Sequence, residues 1–99
     1  MTFQVNEVYS IKISNGDELV AKVTAINADS IEVSHPLTVL PGREGIQLVP
    51  SLFTSDLDSF ITINMSNVSM YTKASQKVCD SYLESTTGIK PVRSSLLMG

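Results

Sequence analysis

The sequence predicts a mainly β domain, a small antiparallel barrel or sandwich, with one helix at its C-terminal end. Three observations support this fold class. Short runs of residues alternate between apolar and polar side chains, which is typical of half-buried strands. Asparagine, glycine and proline separate these runs, as expected for turns. After Ala74 the apolar spacing changes to that of a helix. The 99 residues correspond to one domain.

The first two strands are predicted at residues 8–14 and 18–26, on either side of Asn15-Gly16. Tyr9 begins a strict alternation of apolar and polar residues that continues through the first strand. Asn-Gly favours a type I′ turn, because both central residues of that turn need a positive φ. This segment therefore predicts a tight β-hairpin.

Further strands are predicted beyond a polar turn at residues 27–30. Prolines interrupt two of the later runs, at His35-Pro36 and at Pro50, and a proline within a strand indicates a bend, a bulge or an edge. With the first hairpin, the layout predicts about five short strands. The later apolar runs lie at residues 31–39, 46–53, 60–63 and 68–71.

A helix is predicted over residues 75–88, packed on the β domain or on a neighbouring subunit. Ser75 is a suitable N-cap and Gly88 a suitable C-terminal stop. The preceding residues 1–74 form the predicted β domain, and residues 89–99 are expected to be a flexible tail. The apolar face of the helix carries Val78, Cys79, Tyr82, Leu83 and Thr86.

Composition favours self-association and argues against duplex-DNA binding. Small domains bury a limited core, and oligomerisation is one common remedy. The chain is 42% hydrophobic and only 17% charged, so part of its surface is expected to be covered in an oligomer. The net charge is −3 and the isoelectric point about 4.9, whereas a duplex-DNA binder needs clustered cations.

The sequence also predicts a cytoplasmic protein. Its beginning, MTFQVNEV, has neither the basic region nor the apolar stretch of a signal peptide. No apolar run approaches the roughly 18 residues of a membrane span. Cys79 is the single cysteine, which excludes a disulfide within one chain.

No motif predicts an enzyme, a metal site or a cofactor. Asp56 and Asp58 lack further ligands at a fixed spacing, so they are interpreted as a polar loop. His35 is interpreted as part of a strand bend, because no nucleophile or substrate motif accompanies it. Cys79 on an apolar helix face is interpreted as a small hydrophobe. A catalytic Cys79–His35 pair is the alternative to these structural roles.

The segment ISNGDELVAKVTAINADSIEV, residues 13–33, resembles the first motif of the Sm-like (LSm) family, which includes the bacterial RNA chaperone Hfq. Gly16 matches the turn glycine of that motif, and Leu19 matches the leucine three residues later. Asn27 stands where the family usually has aspartate. The other matching positions are Ala21, Ile31 and Val33.

The segment INMSNV, residues 63–68, resembles the second Sm motif. Asn67 matches the motif, but Asn64 replaces its arginine and Met65 replaces its glycine. The family arginine commonly stacks against a base, so its loss weakens the RNA-binding inference. The likeness spans roughly residues 8–71 and is greatest for the small, divergent members attributed to cyanophages, which would act in the host cytoplasm.

The resemblance implies an SH3-type, strongly bent five-stranded antiparallel barrel with open edge strands. In the family, neighbouring subunits pair these edges and close a homo-oligomeric ring, here expected to be a pentamer to heptamer. Polar turns line the pore of such rings, and they imply contact with single-stranded RNA and a role in RNA metabolism. The corresponding residues are Asn27, Asp29, Ser30, Asn64 and Asn67.

Two alternatives to an RNA-binding ring remain. The same polar residues can simply close turns, in which case the chain is an Sm-fold interaction or assembly module that has lost RNA binding. The missing arginine, the acidic Asp29 and the net negative charge favour this alternative. An SH3-like barrel that serves as a virion or adaptor component is the second alternative.

Overall fold

A computed structural model describes residues 3–43, 45–56 and 58–87, so the predicted stop at Gly88 and the predicted tail 89–99 lie outside the described residues. The described chain forms one antiparallel sheet of six strands followed by one helix. The strands are β1 (Val8–Ile13), β2 (Glu18–Ile26), β3 (Ser30–Gly42), β4 (Gly45–Pro50), β5 (Phe60–Asn64) and β6 (Val68–Lys73). The helix, α1, covers Gln76–Thr87.

The strand order is β4-β3-β2-β1-β6, and β5 also pairs with β3. The long strand β3 pairs with β5 through residues 30–34 and with β4 through residues 37–42. His35 lies between these two segments with a φ of +48°. The predicted mainly β fold with a C-terminal helix is confirmed. The sheet has six strands rather than about five, because each of the six runs found in the sequence forms a strand of its own.

The sheet is strongly curved around β2. The Met65 N–H donates to the carbonyl oxygen of Asp29 at 2.9 Å, and the Ser14 N–H donates to that of Asn67 at 2.8 Å. Asp29 and Ser14 lie in the turns at opposite ends of β2. A straight strand of this length spans about 30 Å, whereas three residues span at most about 11 Å. The short turn can reach both ends only because β2 bends, and its pairing with β3 shifts register twice.

The main hydrophobic core lies inside this curve. The aromatic side chain of Phe3 enters the core from the N-terminal segment and is 5% exposed. Its ring stacks on that of Tyr71, with the centroids 4.0 Å apart, and makes a T-shaped contact with the ring of Tyr9, with the centroids 4.8 Å apart. Phe3 therefore closes one side of the core. The other fully buried members are Ile11, Ala21, Val23, Ile31 and Val33.

The helix packs on a different part of the sheet. Buried Tyr82 contacts the cluster that contains Val20 and Leu37, and Val78 packs beside it. Leu83, which the sequence pattern places on the buried face, is 43% exposed. It follows Tyr82 by one residue and is therefore turned about 100° away around the helix axis. Within the described residues, no helix has the length and apolar character needed to cross a membrane.

Candidate functional site

Three polar turns lie next to one another, with the 3₁₀ turn between the other two, and together they form what we call the three-turn surface. Its parts are residues 14–17 between β1 and β2, residues 27–30 from the end of β2 to the first residue of β3, and residues 64–67 from the last residue of β5 to the start of β6. The Met65–Asp29 and Ser14–Asn67 backbone hydrogen bonds, which also require β2 to bend, hold these turns together. Loops that are far apart in sequence thereby become one surface.

The β2–β3 turn is closed by its own polar residues. The Asn27 N–H donates to the Ser30 carbonyl oxygen at 2.9 Å, and Asn27 Nδ2 donates to Ser30 Oγ at 3.3 Å. Short polar side chains that bond nearby residues are typical of such turns. Asp29 is exposed at the turn, while its carbonyl oxygen accepts the bond from Met65. The turn thus exposes the carboxylate of Asp29 and the side-chain amide of Asn27, whose nitrogen already donates to Ser30 Oγ.

The β5–β6 connection lies between the two other turns. Asn64 is directly opposite Ser30 in the β3–β5 pairing. Asn67 lies at the other end of the 3₁₀ turn, where its Oδ1 accepts a bond of 3.4 Å from Ser14 Oγ. The two asparagines predicted as one site therefore contact different turns.

The β1–β2 turn belongs to this surface although sequence reasoning assigned it a turn role alone. The Asp17 N–H donates to Asn15 Oδ1 at 2.9 Å, and Asn15 Nδ2 donates to Asp17 Oδ2 at 3.1 Å. The predicted type I′ turn is wrong, because Gly16 has a φ of +97° but Asn15 does not have a positive φ. The Gly16 N–H donates to the Ile13 carbonyl oxygen at 2.9 Å, so the hairpin has a three-residue loop with glycine at its positive-φ position. No local signal indicates that Ser14 meets Asn67, because 53 residues separate them.

The structure therefore brings four predicted residues close together and places the fifth apart. Asn27 bonds Ser30, Ser30 pairs with Asn64, and the Asp29 backbone bonds the residue after Asn64. Asn67 stands beside the β1–β2 turn instead. All five are exposed except Ser30, which is half-buried.

The three-turn surface is acidic. Asp17 and Asp29 are its charged residues, and Glu18 follows directly. The cations of the described segments all lie elsewhere in the sequence, and no aromatic residue belongs to the three turns. Amides, hydroxyls and carboxylates can form directional hydrogen bonds there, but they do not attract phosphate. Those cations are Lys12, Lys22, Arg43, Lys73 and Lys77.

A separate cleft of about 210 Å³ lies where the bend of β3, the loop after β4 and the end of α1 meet. We call it the helix-end cleft. His35, Asp56 and Asp58 all line this cleft, although no pattern in the sequence predicts that they lie close together. Across the described residues, no group of three or more His, Cys, Asp or Glu side chains is arranged to hold a metal ion.

Cys79 has different surroundings from His35. Its Sγ lies 3.7 Å from the carbonyl oxygen of Ala74, to which the thiol donates. Burial, and then the nearby carboxylate of Glu7, raise the pKa of the Cys79 thiol. A raised pKa lowers the thiolate fraction, which is the reactive form. This environment fits a packing role better than nucleophilic catalysis.

Two strand edges form the remaining candidate surface. Among the described residues, β4 and β5 pair only with β3 and β6 pairs only with β1, so each of these strands has an unpaired edge, and β5 and β6 are consecutive in the chain. Phe60 on β5 and Met70 on β6 are each 63% exposed. Beside Met70, a shallow cleft of about 340 Å³ runs over β1 and β6. Unpaired edges with exposed apolar side chains are suited to strand pairing with another chain.

Neither protein-family models nor curated proteins give a match to this chain, so the three-turn surface and the strand edges carry the functional evidence.

Proposed function

We propose that this chain is an Sm-like subunit that assembles with copies of itself into a ring, and that the ring contacts single-stranded RNA through the three-turn surface. The observation that carries the proposal is the curved sheet in which two of the three strands with an unpaired edge, β5 and β6, are consecutive and joined by the short 3₁₀ turn. The resemblance of residues 13–33 and 63–68 to the two Sm motifs supports the same interpretation.

The strand edges support assembly into a closed ring. When the β5 edge of one copy pairs with the β6 edge of the next, two different surfaces meet, and such contacts form rings if the rotation closes. Pairing satisfies the backbone groups of both edges and covers the side chains of Phe60 and Met70. Burying a large apolar side chain is worth roughly 1.5–3 kcal/mol. The low charge content of the chain agrees with such a contact.

The amides of the three-turn surface support contact with RNA bases. Proteins recognise single-stranded RNA by hydrogen bonds to base edges and by stacking. Asn27, Asn64 and Asn67 each supply an amide with donors and an acceptor. In a ring, these amides recur once per subunit around the axis. Repeated weak contacts on one strand then add through multivalency.

The charge of the same surface supports a second function, in which the ring is a protein-assembly module without RNA binding. Single-strand binding normally combines a basic groove with aromatic platforms. Asp17 and Asp29 repel phosphate, and the described turns offer neither a cation nor an aromatic ring. Both functions use the same fold and the same ring, and they differ in what the ring binds, which is RNA in the first and another protein in the second.

A fluorescence-polarisation titration distinguishes the two functions. The probes are labelled U-rich, A-rich and mixed single-stranded RNAs, at low and at near-physiological salt. RNA contact by the amides predicts saturable binding that survives the higher salt, because contacts beyond phosphate attraction persist there. Binding that disappears with modest salt, or its absence, favours the assembly module.

Paired variants locate the RNA contact. Asn64→Ala with Asn67→Ala should weaken binding at least severalfold, while Gln47→Ala, an exposed amide on β4, should leave it unchanged. Equal affinities in all three proteins would exclude the three-turn surface as the RNA site. The mass of each variant in solution must match that of the parent, so that a lost ring is not mistaken for a lost contact.

A further inference from the structure

The helix-end cleft combines an apolar floor with an acidic rim. Leu37, Leu52 and Ile61 contribute apolar surface, and the exposed side chains of Asp56 and Asp58 lie at its edge. In the part of the chain that the structure describes, the one ion pair joins Lys73 to Glu7, so neither aspartate has a cationic partner there. The cleft therefore suits a ligand that is both cationic and apolar.

The last turn of α1 adds to the negative potential of the cleft. Ser85 and Thr86 of this turn both line it, and the turn contains no basic residue. The carbonyl groups at the C-terminal end of a helix carry a partial negative charge, which favours cations. The helix and the loop that carries the two aspartates thus favour a cation from two sides of the same cleft.

The walls of the cleft are fixed by hydrogen bonds within the protein. The Ser51 N–H donates to the Pro36 carbonyl oxygen at 3.0 Å, which attaches the loop after β4 to the bend of β3. Farther along the loop, the Ser59 N–H donates to the Asp56 carbonyl oxygen at 3.1 Å. A site that is already ordered loses less conformational freedom when a ligand binds.

The chemistry and the size of the cleft indicate the class of ligand. Among the described residues, no group of His, Cys, Asp or Glu side chains is arranged to hold a metal ion. The two aspartates repel phosphate, which disfavours nucleic acid and anionic lipid. The volume of about 210 Å³ is below the roughly 300–1,000 Å³ of sites for whole small molecules. A single long side chain of a protein segment fits these limits.

The loop beside the cleft offers apolar surface for the rest of such a segment. Leu52 is 49% exposed and the adjacent Phe53 is 82% exposed. Leu52 also lines the cleft, so the apolar surface continues from the cleft onto the loop. A residue next to the inserted side chain can pack there.

We propose that the helix-end cleft binds an arginine side chain from an extended segment of a partner protein. The guanidinium group lies between Asp56 and Asp58, the aliphatic part of the side chain packs on the floor, and an apolar neighbour covers Leu52 and Phe53. Arginine suits this site better than lysine, because its planar group donates to two carboxylates at once and is more weakly hydrated. The contact does not depend on the proposed ring or on RNA.

A peptide titration of the full chain tests this proposal. The probe is a fluorescein-labelled peptide of sequence GLRLG with a blocked C-terminus, and the control peptide carries citrulline, an uncharged isostere, in place of arginine. Polarisation should show saturable binding of the arginine peptide, at least fivefold tighter than that of the control and weaker at high salt. In methyl NMR spectra, the signals of Ile61 should shift and those of Ile26, outside the cleft, should not.

Neutral variants test the role of the two carboxylates. Asp56→Asn with Asp58→Asn should weaken binding of the arginine peptide about fivefold, because two partly exposed charge pairs are lost. Asp17→Asn with Asp29→Asn makes the same change in net charge on the three-turn surface and should leave the affinity unchanged. Equal losses in the two proteins would overturn the proposal, since the peptide would then respond to net charge alone.

A bulky side chain tests the position of the site independently of charge. Ser85→Trp places an indole in the wall of the cleft and should abolish binding, whereas Ser81→Trp, at an exposed position of the same helix, should not. Equal affinities for the arginine and citrulline peptides, or no saturable binding, would overturn the proposal. Ile61 signals that change with protein concentration alone would also overturn it, because a second copy would then occupy the cleft. Solution mass tests the ring separately, so the two proposals can fail independently.

Discussion

The hydroxyl of Tyr82 donates a hydrogen bond of 2.6 Å to the carbonyl oxygen of Ser34, linking α1 to the bend of β3. The same hydroxyl accepts a bond of 3.2 Å from the backbone N–H of Lys22 on β2. Lys22 and Ser34 are partners next to a register shift between the two strands. One side chain from the helix thus satisfies backbone groups of both strands where their regular pairing is interrupted, and α1 helps to fix the curvature of the sheet.

Removal of this hydroxyl should destabilise the protein while preserving its packing. Tyr82→Phe leaves two backbone groups without their partner in a largely buried place, which costs about 1–3 kcal/mol of unfolding free energy. Equilibrium denaturation in urea measures the change. Ser81→Ala, an exposed substitution on the same helix, should stay within about 0.5 kcal/mol. Equal losses in the two variants would contradict the role of the hydroxyl.

The same side chain predicts a loss of stability at alkaline pH. Burial raises the pKa of the Tyr82 phenol above its ordinary value of 10.0, although the bonds with Lys22 and Ser34 partly oppose the shift. The unfolded chain therefore loses this proton first. The stabilisation is fully present below about pH 10 and is lost as pH rises through the folded-state pKa.

Urea denaturation between pH 8 and pH 11 measures this effect. The unfolding free energy of the parent should fall more steeply than that of Tyr82→Phe, which has no phenol at this position. The two proteins share every other residue, so the contributions of those residues cancel in the comparison. Identical slopes above pH 10 would show that Tyr82 is not the group responsible.

The N-terminal segment should contribute to stability through Phe3. Phe3→Ala removes a ring that stacks on Tyr71 and lies against the core, and such changes typically cost 3–5 kcal/mol. Thermal unfolding followed by circular dichroism measures the loss. Gln4→Ala is the matched control, because the exposed Gln4 contacts Tyr9 through its backbone N–H. A small effect of Phe3→Ala would mean that the segment does not close the core.

Local signals in the sequence predicted the local elements well. Asn15-Gly16 predicted the position of the first hairpin, because turn preference does not depend on distant residues. It did not predict the turn type, since only Gly16 of the pair has a positive φ. The helix predicted over residues 75–88 is found at Gln76–Thr87, since the N-cap and the apolar spacing are also local. The burial of Phe3 was not predicted, because it depends on a core that residues of distant strands form together.

Long-range pairs explain why the candidate site was only partly predicted. The contact between Ser14 and Asn67 and that between Ser34 and Tyr82 join residues 53 and 48 positions apart. Neither contact can be detected in the composition or the periodicity of the sequence. The grouping of Asn27 with Asn64 came from the resemblance to the Sm motifs, whereas the helix-end cleft had no such guide. Its residues come from the bend of β3 at His35, the loop after β4 and the end of α1, which are far apart in the sequence.

The mass of the protein in solution tests the central claim, assembly into a ring, most directly. Sedimentation velocity over a range of concentrations should give one species of five to seven times the 10.7 kDa subunit mass. Phe60→Lys or Met70→Lys should shift that species to smaller masses while each subunit keeps its circular dichroism spectrum, because a charge at a buried strand edge opposes pairing. The control Gln47→Lys should leave the mass unchanged. A parent protein that sediments as a single subunit at every concentration would contradict the proposed ring.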